Sequence, residues 1–367
     1  MKKIILFSLL LIVASPLFSQ CNGRYNSEIF SSVTKTTVNY SDQFSDNEHK
    51  ADIFTPDGDT ETNRPLIIYM HGGTFYAGDK SDTDCVDFCE SFAKRGYVCV
   101  SINYRLVPFT QIISFLTSAS EQYNEVLKAT MDAKAAVRFF RKDAANGNTY
   151  GIDENTIFIG GYSAGGVTAI HLAYLDSISD LPTSPVNVQN LLTDIGGIEG
   201  DAGNDGYSSH VSGVISFAGG IHDLNWIDDT DEPIVSIHGD IDNVVNFNCG
   251  PGLNNPAVVN LCGLNEIHPI ADNLGLINDK FILPNTGHTW AAGGNSNSYF
   301  LQALEFVKDF LYPLLPCNNS TSINSENTSK KLLKIVDVLG RETKVQTNQT
   351  LFYIYSNGQV EKKIILQ

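Results

Sequence analysis

Positive charge is scarce in this chain. Its 24 Lys and Arg residues stand against 41 Asp and Glu residues, which gives a formal net charge of -17 at pH 7. Nucleic acids are bound chiefly through their phosphates, and anionic lipid headgroups attract basic patches, so this deficit argues against both partners. The apolar fraction of 42% is ordinary for a protein with a sizeable core. The composition favours a globular protein that acts on a neutral or hydrophobic substrate.

Long apolar runs are also missing beyond the N-terminus. There, Lys2 and Lys3 precede the apolar stretch 4–13, and small residues such as Ser19 follow it. A helix that spans a membrane needs about 20 apolar residues, so this run is too short. The pattern is typical of a secretory signal peptide. We expect residues 1–20 to be removed and the protein to be secreted or displayed at the cell surface. The bulky Gln20 argues against a lipid anchor on Cys21.

Cysteine is infrequent, with 7 residues in the chain. Exported proteins can keep disulfides, so four of these residues are candidates for pairing. Cys249 and Cys262 bracket a loop rich in Gly, Asn and Pro, and its closure would stabilise the fold by about 3 kcal/mol in the chain-entropy model. Cys21 and Cys317 lie near the two ends of the main domain, and domain termini are often close.

The other three cysteines have a different context. Cys99 lies in an apolar strand and is predicted to be a buried thiol. Cys85 and Cys89 are one helical turn apart, which leaves their pairing open. Metal binding by these two is disfavoured because no second ligand pair follows at the spacing of a zinc site.

Apolar strands alternate with amphipathic helices over most of the chain. This order predicts βαβ units and an α/β fold, with a mostly parallel sheet covered by helices on both faces. Residues 21–50 are predicted to form an edge hairpin. The strands are predicted within 64–73, 97–106, 155–162, 211–220, 232–240 and 280–287. The helices are predicted within 82–96, 129–147, 164–175 and 296–315. Ligands of such sheets bind at the carboxyl ends of the strands.

The segment GYSAG, residues 161–165, matches the pattern G-x-S-x-G. An apolar strand leads into it and an apolar helix leads out. A sharp turn between them needs small neighbours, which Gly161 and Gly165 supply. The helix N-terminus favours negative charge that develops beside Ser163. We therefore predict Ser163 as a nucleophile; an ordinary Gly-rich turn is the alternative.

The segment HGGTF, residues 71–75, follows a buried strand. Acyl transfer develops negative charge on a carbonyl oxygen, and backbone N–H groups aimed at it stabilise that charge. We predict an oxyanion hole formed by the N–H groups of Gly73, Thr74 and Ala164.

The third segment is HGDIDNVV, residues 238–245, after another buried strand. A nucleophilic serine with a histidine base needs a carboxylate to orient the imidazole. Asp242 is predicted in this role. Asp240, two residues earlier, is the alternative and is expected to shape the turn.

The histidine that would act as the catalytic base is predicted from its position in the chain. His288 in NTGHTW is the one histidine that lies at a strand end after both the serine and the acid. Ser, Asp, His is the chain order of α/β-hydrolases. His71 and His238 are expected to form local hydrogen bonds, and His171 is expected to be structural. The remaining histidines, residues 49, 210, 222 and 268, lie in loops without matching context.

Four segments together resemble bacterial carboxylesterases of the α/β-hydrolase superfamily, in the group with feruloyl-esterase-like and hormone-sensitive-lipase-like enzymes. They are HGGTFYAGDK, KRGYVCVSINYRL, AVRFFRKDAANGNTYGID and IFIGGYSAGG. The resemblance covers residues 50–312 and implies the α/β-hydrolase fold and hydrolysis of carboxylic esters without a metal or organic cofactor. The family pattern reads HGGG, and here Thr74 replaces the third glycine. The pair Tyr104 and Arg105 matches a family strand end and is interpreted as structural.

The composition changes after Pro316. Residues 317–330 are polar and are predicted to be a linker, which follows a catalytic domain at 21–316. Residues 331–367 predict short strands and turns. Through KIVDVLGRE and YIYSNGQVEKKII they resemble the later part of the C-terminal sorting domain of the type IX secretion system. The resemblance implies that the type IX secretion machinery is a partner of this protein. A small accessory β module is the alternative.

The sequence thus predicts a secreted serine carboxylesterase. A serine peptidase of the same fold and a non-catalytic surface binding protein remain alternatives. Segments 104–130 and 176–210 are expected to line or cover the site. The ester substrate and the oligomeric state stay open.

Overall fold

The computed structural model describes residues 21, 23–317, 332–337, 341, 343–344, 350–355 and 360–364. The predicted signal peptide and, apart from Cys317, the predicted linker lie outside the described residues. The chain divides into two compact units, residues 1–318 and 319–367.

The main unit alternates strands and helices as the sequence predicts. Its strands are β1 (Val33–Asn39), β2 (Lys50–Pro56), β3 (Arg64–Met70), β4 (Val98–Ile102), β5 (Ile152–Tyr162), β6 (Gly213–Phe217), β7 (Ile234–Gly239), β8 (Cys249–Pro251), β9 (Asn260–Cys262) and β10 (Asn278–Leu283). Its helices are α1 (Thr83–Lys94), α2 (Ile112–Thr117), α3 (Ala119–Ala145), α4 (Ala164–Tyr174), α5 (Val188–Asp194), α6 (Leu264–Leu274) and α7 (Ser298–Leu311).

Eight of these strands form one sheet in the order β1-β2-β4-β3-β5-β6-β7-β10. β2 pairs antiparallel with β1 and β4, and the pairs from β4 to β10 are parallel. The prediction of a mostly parallel sheet is confirmed. The edge hairpin spans residues 33–56 rather than 21–50, because the mostly buried β2 is its second strand and residues 40–49 form the connection.

Helices cover both faces of the sheet, so each central strand is buried on both sides. In β3, Leu66 and Ile68 belong to one core and Ile67 and Tyr69 to the other, as the two-residue period of a strand requires. Residues of α3 and α4 pack in the first core, and residues of α1 and α7 in the second. The stacked layers hold the carboxyl ends of the parallel strands in fixed positions.

The helix predicted within 129–147 is the later part of the longer α3. Ser118 caps its start, where the side-chain hydroxyl accepts a hydrogen bond from the N–H of Glu121 at 3.4 Å. The added turns bring residues 119–128 to the carboxyl edge of the sheet, where they border a pocket.

Both candidate disulfides are present. Cys21 bonds to Cys317, and Cys249 bonds to Cys262 across the short hairpin of β8 and β9. The cysteines at 85, 89 and 99 are buried thiols. Within the described part of the chain, no cluster of three or more His, Cys, Asp or Glu residues is arranged to hold a metal ion.

The second unit contains an antiparallel sheet of three strands, β11 (Leu332–Val336), β12 (Thr350–Tyr355) and β13 (Val360–Ile364). The described residues include no helix that is long and apolar enough to span a membrane.

Candidate active site

Ser163 lies in a strained turn between β5 and α4. Its backbone has φ 56° and ψ −117°, a combination that residues other than glycine rarely adopt. The N–H of Ser163 donates to the carbonyl of Phe217 at 2.8 Å, which ties the turn to β6. A Cβ atom added at Gly161 would overlap the backbone of Gly165 and the carbonyl of Met70, and one added at Gly165 would overlap the carbonyls of Met70 and His71. Both glycines of G-x-S-x-G are therefore required by close packing.

The structure brings Ser163, His288 and Asp242 together. The Oγ of Ser163 lies 2.7 Å from Nε2 of His288, and Nδ1 of His288 lies 2.6 Å from Oδ2 of Asp242. A carboxylate only accepts, so the proton of neutral His288 sits on Nδ1, and Nε2 can accept the proton of the serine hydroxyl. Asp240 takes no part: its Oδ1 accepts from the N–H of Thr286 at 3.4 Å and shapes the turn.

Asp242 is buried and held from several sides. Its Oδ1 accepts hydrogen bonds from the N–H groups of Val244 and Val245 at 2.8 and 3.2 Å. Burial alone raises the pKa of Asp242, but hydrogen bonds from His238 and His288 outweigh it and lower the pKa to about 2. The carboxylate is ionised at neutral pH. Its stabilising effect on the fold is present above its ordinary pKa and is lost as the pH falls toward 2.

His238 forms local hydrogen bonds, as expected, and one partner is Asp242, a role in the site that the sequence analysis did not assign to it. Its Nε2 lies 3.2 Å from Oδ2 of Asp242 and 3.0 Å from the carbonyl of Val245. Both neighbours are acceptors, so this nitrogen carries the proton and donates. The position of His238, four residues before the acid at the end of a buried strand, was the available signal.

Tyr162 supports His288 and was also missed. Its hydroxyl donates to the backbone carbonyl of His288 at 2.9 Å, and the two rings stack with centroids 5.4 Å apart. Tyr162 directly precedes Ser163, so the same turn positions the hydroxyl of Ser163 and, through Tyr162, the imidazole of His288.

The HGGTF segment turns sharply beside the serine. A Cβ atom at Gly72 would lie 3.3 Å from Cβ of Ser163, and one at Gly73 would overlap the carbonyl of Ala77. Gly73 has φ 112° and Thr74 has φ 56°, so a non-glycine residue occupies the left-handed region here. Thr74 and Ala164 line the same pocket as Ser163. The assignment of their N–H groups, with that of Gly73, to an oxyanion hole stays a prediction.

Two aromatic rings fix the start of this loop. Nδ1 of His71 donates to the carbonyl of Gly72 at 2.6 Å, and its ring stacks on Tyr104 at 4.4 Å. The hydroxyl of Tyr104 donates to the carbonyl of His71 at 2.8 Å. The contacts are structural, as predicted for both residues, and burial lowers the pKa of His71 so that it stays neutral.

A pocket of about 780 Å³, including its opening, adjoins Ser163. Its walls are mostly apolar and include Phe75, Phe115, Val167, Trp226, Leu253 and Val258. Polar atoms are few. The hydroxyl of Tyr123 donates to Nε2 of His222 at 2.6 Å, and Nδ1 of His222 faces the carbonyl of Asn260 at 3.3 Å. An apolar lining with few polar groups is typical of pockets that bind small organic ligands.

The two segments expected near the site differ. Segment 104–130 contributes five pocket residues, whereas segment 176–210 contributes only Leu181. Arginines hold the rest of the second segment elsewhere: Arg138 donates to Glu199 at 2.8 Å and to the carbonyl of Gly203 at 2.7 Å. The expectation that 176–210 covers the site is wrong over most of its length.

Residues 51–219 match the BD-FAE family model. Among curated proteins, the chain is 31% identical over 129 residues to the para-nitrobenzyl esterase of Bacillus subtilis (strain 168), which covers 35% of this chain and 25% of that protein. It is 32% identical over 129 residues to 3-O-acetylpapaveroxine carboxylesterase CXE2 of Papaver somniferum, over 35% of this chain and 38% of that protein. The likeness thus spans well under half of each relative.

Solved structures match more of the chain. A truncated form of a carbohydrate esterase from gut microbiota has a TM-score of 0.55 at 22% identity, over 78% of this chain and 97% of that one. Propionate-bound esterase Est2 of Thermogutta terrifontis has a TM-score of 0.54 at 20% identity, over 76% and 94%. At these identities the likeness establishes the fold. The chain therefore has the α/β-hydrolase fold, and over residues 51–219 it is similar to the BD-FAE family within that fold.

Proposed function

We propose that this chain is a secreted serine carboxylesterase that works through an acyl-enzyme on Ser163. The observation that carries the proposal is the continuous hydrogen-bonded path from Asp242 through His288 to Ser163, which ends at the mouth of an apolar pocket. The names of the curated relatives, an esterase and a carboxylesterase, support ester hydrolysis as the reaction.

In the proposed mechanism, His288 removes the proton of Ser163 as its oxygen attacks the ester carbonyl. Asp242 holds the imidazole in the required tautomer and stabilises the imidazolium that forms. The N–H groups of Gly73, Thr74 and Ala164 stabilise the oxyanion. The alcohol leaves with the proton from His288, and water, activated by the same imidazole, then hydrolyses the acyl-enzyme. No step needs a metal or organic cofactor.

The first prediction tests the nucleophile. Ser163→Ala should lower the turnover of a p-nitrophenyl ester by roughly 10⁴-fold or more, because no other hydroxyl lies in the path. A fluorophosphonate probe should label the wild type and leave this variant unlabelled. Ser236→Ala, a buried serine of β7, is the matched control and should keep wild-type turnover. Near-normal activity of Ser163→Ala would refute the assignment.

The alternatives have their own readouts. A peptidase would cleave a peptide anilide at a rate comparable to that of a short-chain ester, and a non-catalytic binding protein would resist the fluorophosphonate probe when folded. Parallel assays of the purified protein separate these outcomes from the esterase.

We also propose that the protein is exported and sorted by its C-terminal residues 331–367. The basic and apolar pattern of residues 1–20 and the two disulfides support export, since disulfides persist in oxidising compartments. The three antiparallel strands of the second unit are compatible with a small sorting domain.

A further inference from the structure

Charged side chains are missing from two segments that border the pocket. No Asp, Glu, Lys or Arg occurs between Arg105 and Glu121 or between Asp242 and Glu266, in a chain with a net charge of -17. Both segments contribute to the pocket wall, the first through Phe115 and the second through residues that include Leu253. We call residues 106–120 and 243–265 the uncharged rim.

Two side-chain amides, those of Asn255 and Gln122, join the two parts of the uncharged rim. Nε2 of Gln122 donates to the carbonyls of Phe115 and Ala257 at 2.7 and 3.1 Å, and its Oε1 accepts from the N–H of Val259 at 2.9 Å. The disulfide between Cys249 and Cys262 closes the second part. The two parts of the uncharged rim are therefore fixed to each other beside the pocket.

Two large apolar side chains of this surface face solvent. Phe109 is 89% exposed and Ile113 is 80% exposed, the highest values among the exposed large apolar residues described. Phe109 begins a short 3₁₀ turn, Phe109–Gln111, that leads directly into α2, where Ile113 is the second residue. Ile241, next to Asp242, is 61% exposed as well. Large apolar side chains exposed beside a site are typical of a contact surface.

We propose that the uncharged rim docks the enzyme on an extended, uncharged ester surface, such as a polymeric or aggregated ester, with Phe109 and Ile113 as anchors. This inference rests on the proposed esterase function and names the physical form of its substrate. A dissolved small ester needs the pocket alone and leaves both anchors in water. An anionic surface is repelled by the net charge, and a cationic one would bind acidic residues that the rim does not contain. A neutral apolar surface buries the anchors while the pocket opens onto it.

The test compares two physical forms of neutral ester. The double variant Phe109→Ser with Ile113→Asn should keep kcat/KM on dissolved p-nitrophenyl butyrate within about twofold of wild type, because neither residue lines the pocket. Its rate on emulsified tributyrin should fall about tenfold, since two buried apolar contacts are lost. The control is Ile277→Asn, because Ile277 is 58% exposed and lies at the amino end of β10, whereas the rim follows the carboxyl end of β7. It should match wild type in both assays.

Adsorption separates this inference from the catalytic proposal. In a Ser163→Ala background, protein bound to neutral polyester particles should fall about tenfold when both anchors are replaced and stay unchanged with Ile277→Asn. Equal adsorption with and without the anchors would overturn the inference even if the enzyme is an esterase. So would a wild-type dimer in light scattering that the double variant abolishes, since the rim would then be an interface between copies. Activity of wild type on neither ester form, with adsorption intact, would instead refute the proposed function.

Discussion

The side chain of Asp242 shows how much of the site depends on single atoms. Its Oδ2 is shared by two imidazoles, at 2.6 Å from His288 and 3.2 Å from His238, while backbone N–H groups hold Oδ1. The carboxylate cannot rotate without breaking several of these bonds. We therefore regard His238 as a positioning residue that acts on His288 through the acid.

The residue-scale prediction concerns this second imidazole. His238→Leu should lower kcat on a dissolved ester about tenfold with little change in KM, because a hydrogen bond to a charged group is lost. The acid limb of the pH–rate profile should move to higher pH, since a carboxylate with one partner fewer favours the protonated imidazole of His288. His238→Gln, whose amide can donate from a similar position, should restore both. A Leu variant with a wild-type pH profile would reduce His238 to a packing role.

The sequence was sufficient to find the three residues that meet, and it was not sufficient to find what supports them. Ser163, Asp242 and His288 each follow a buried strand in a fixed chain order, so local pattern identifies them. The hydroxyl of Tyr162 bonds to the carbonyl of His288, which is 126 residues away, so this contact exists only in the folded chain. His238 lies four residues before Asp242 and its contact with the acid is local, but the pattern alone does not show that its side chain turns toward the carboxylate.

At the scale of elements, the pocket wall is assembled from parts that are distant in sequence. Gln122 of α3 bonds to the segment of α2 and to the connection between β8 and β9. All its polar side-chain atoms are used, and the residue is 1% exposed. This amide thus satisfies three backbone groups of the two segments, and the amide of Asn255 adds a further bond between them at 3.4 Å.

The element-scale prediction removes that amide. Gln122→Met, of similar size, should lower the free energy of unfolding by about 2–4 kcal/mol, because two carbonyls and one N–H lose their partner. Denaturant titration measures the change. Gln302→Met, an exposed position on α7, is the control and should stay within about 0.5 kcal/mol of wild type. Equal stability of the two variants would show that water replaces the lost bonds.

The sequence patterns predicted which strands and helices form more accurately than they predicted where these elements end and what they contact. The parallel strands were found because each is a short apolar run ended by Gly, Asp or His. The true start of α3 at Ala119 was missed because residues 119–128 mix polar and apolar side chains over the pocket. The sequence analysis wrongly placed segment 176–210 over the site. Arg105 and Arg138 hold this segment elsewhere, and both lie far from it in the sequence, so no local pattern links them to it.

At the scale of the whole molecule, the two units have separate sheets and separate roles in the proposal. All proposed catalytic residues and all pocket residues lie before residue 319. The second unit contributes the three strands on which the sorting proposal depends.

The whole-molecule prediction is a truncation after Asn318, which keeps both disulfides. The shortened chain should retain wild-type kcat/KM on a dissolved ester and a melting temperature within about 2 °C, a shift that corresponds to about 1 kcal/mol for a unit of this size. In a host with type IX secretion, the full chain should reach the medium or the cell surface, whereas the shortened chain should stay in the periplasm. Export of both forms would refute the sorting proposal and leave the esterase proposal intact.

The bond between Cys21 and Cys317 makes the polypeptide from one to the other a covalent ring. A protease that nicks one exposed loop of this ring opens it and yet releases no fragment, because the two pieces remain tethered through sulfur. Unravelling from a free end is equally blocked, since neither end of the ring is free. For a protein proposed to work outside the cell among foreign proteases, this ring keeps the molecule in one piece after a single cut. A reducing agent applied after limited proteolysis should separate the two pieces, which stay linked without it.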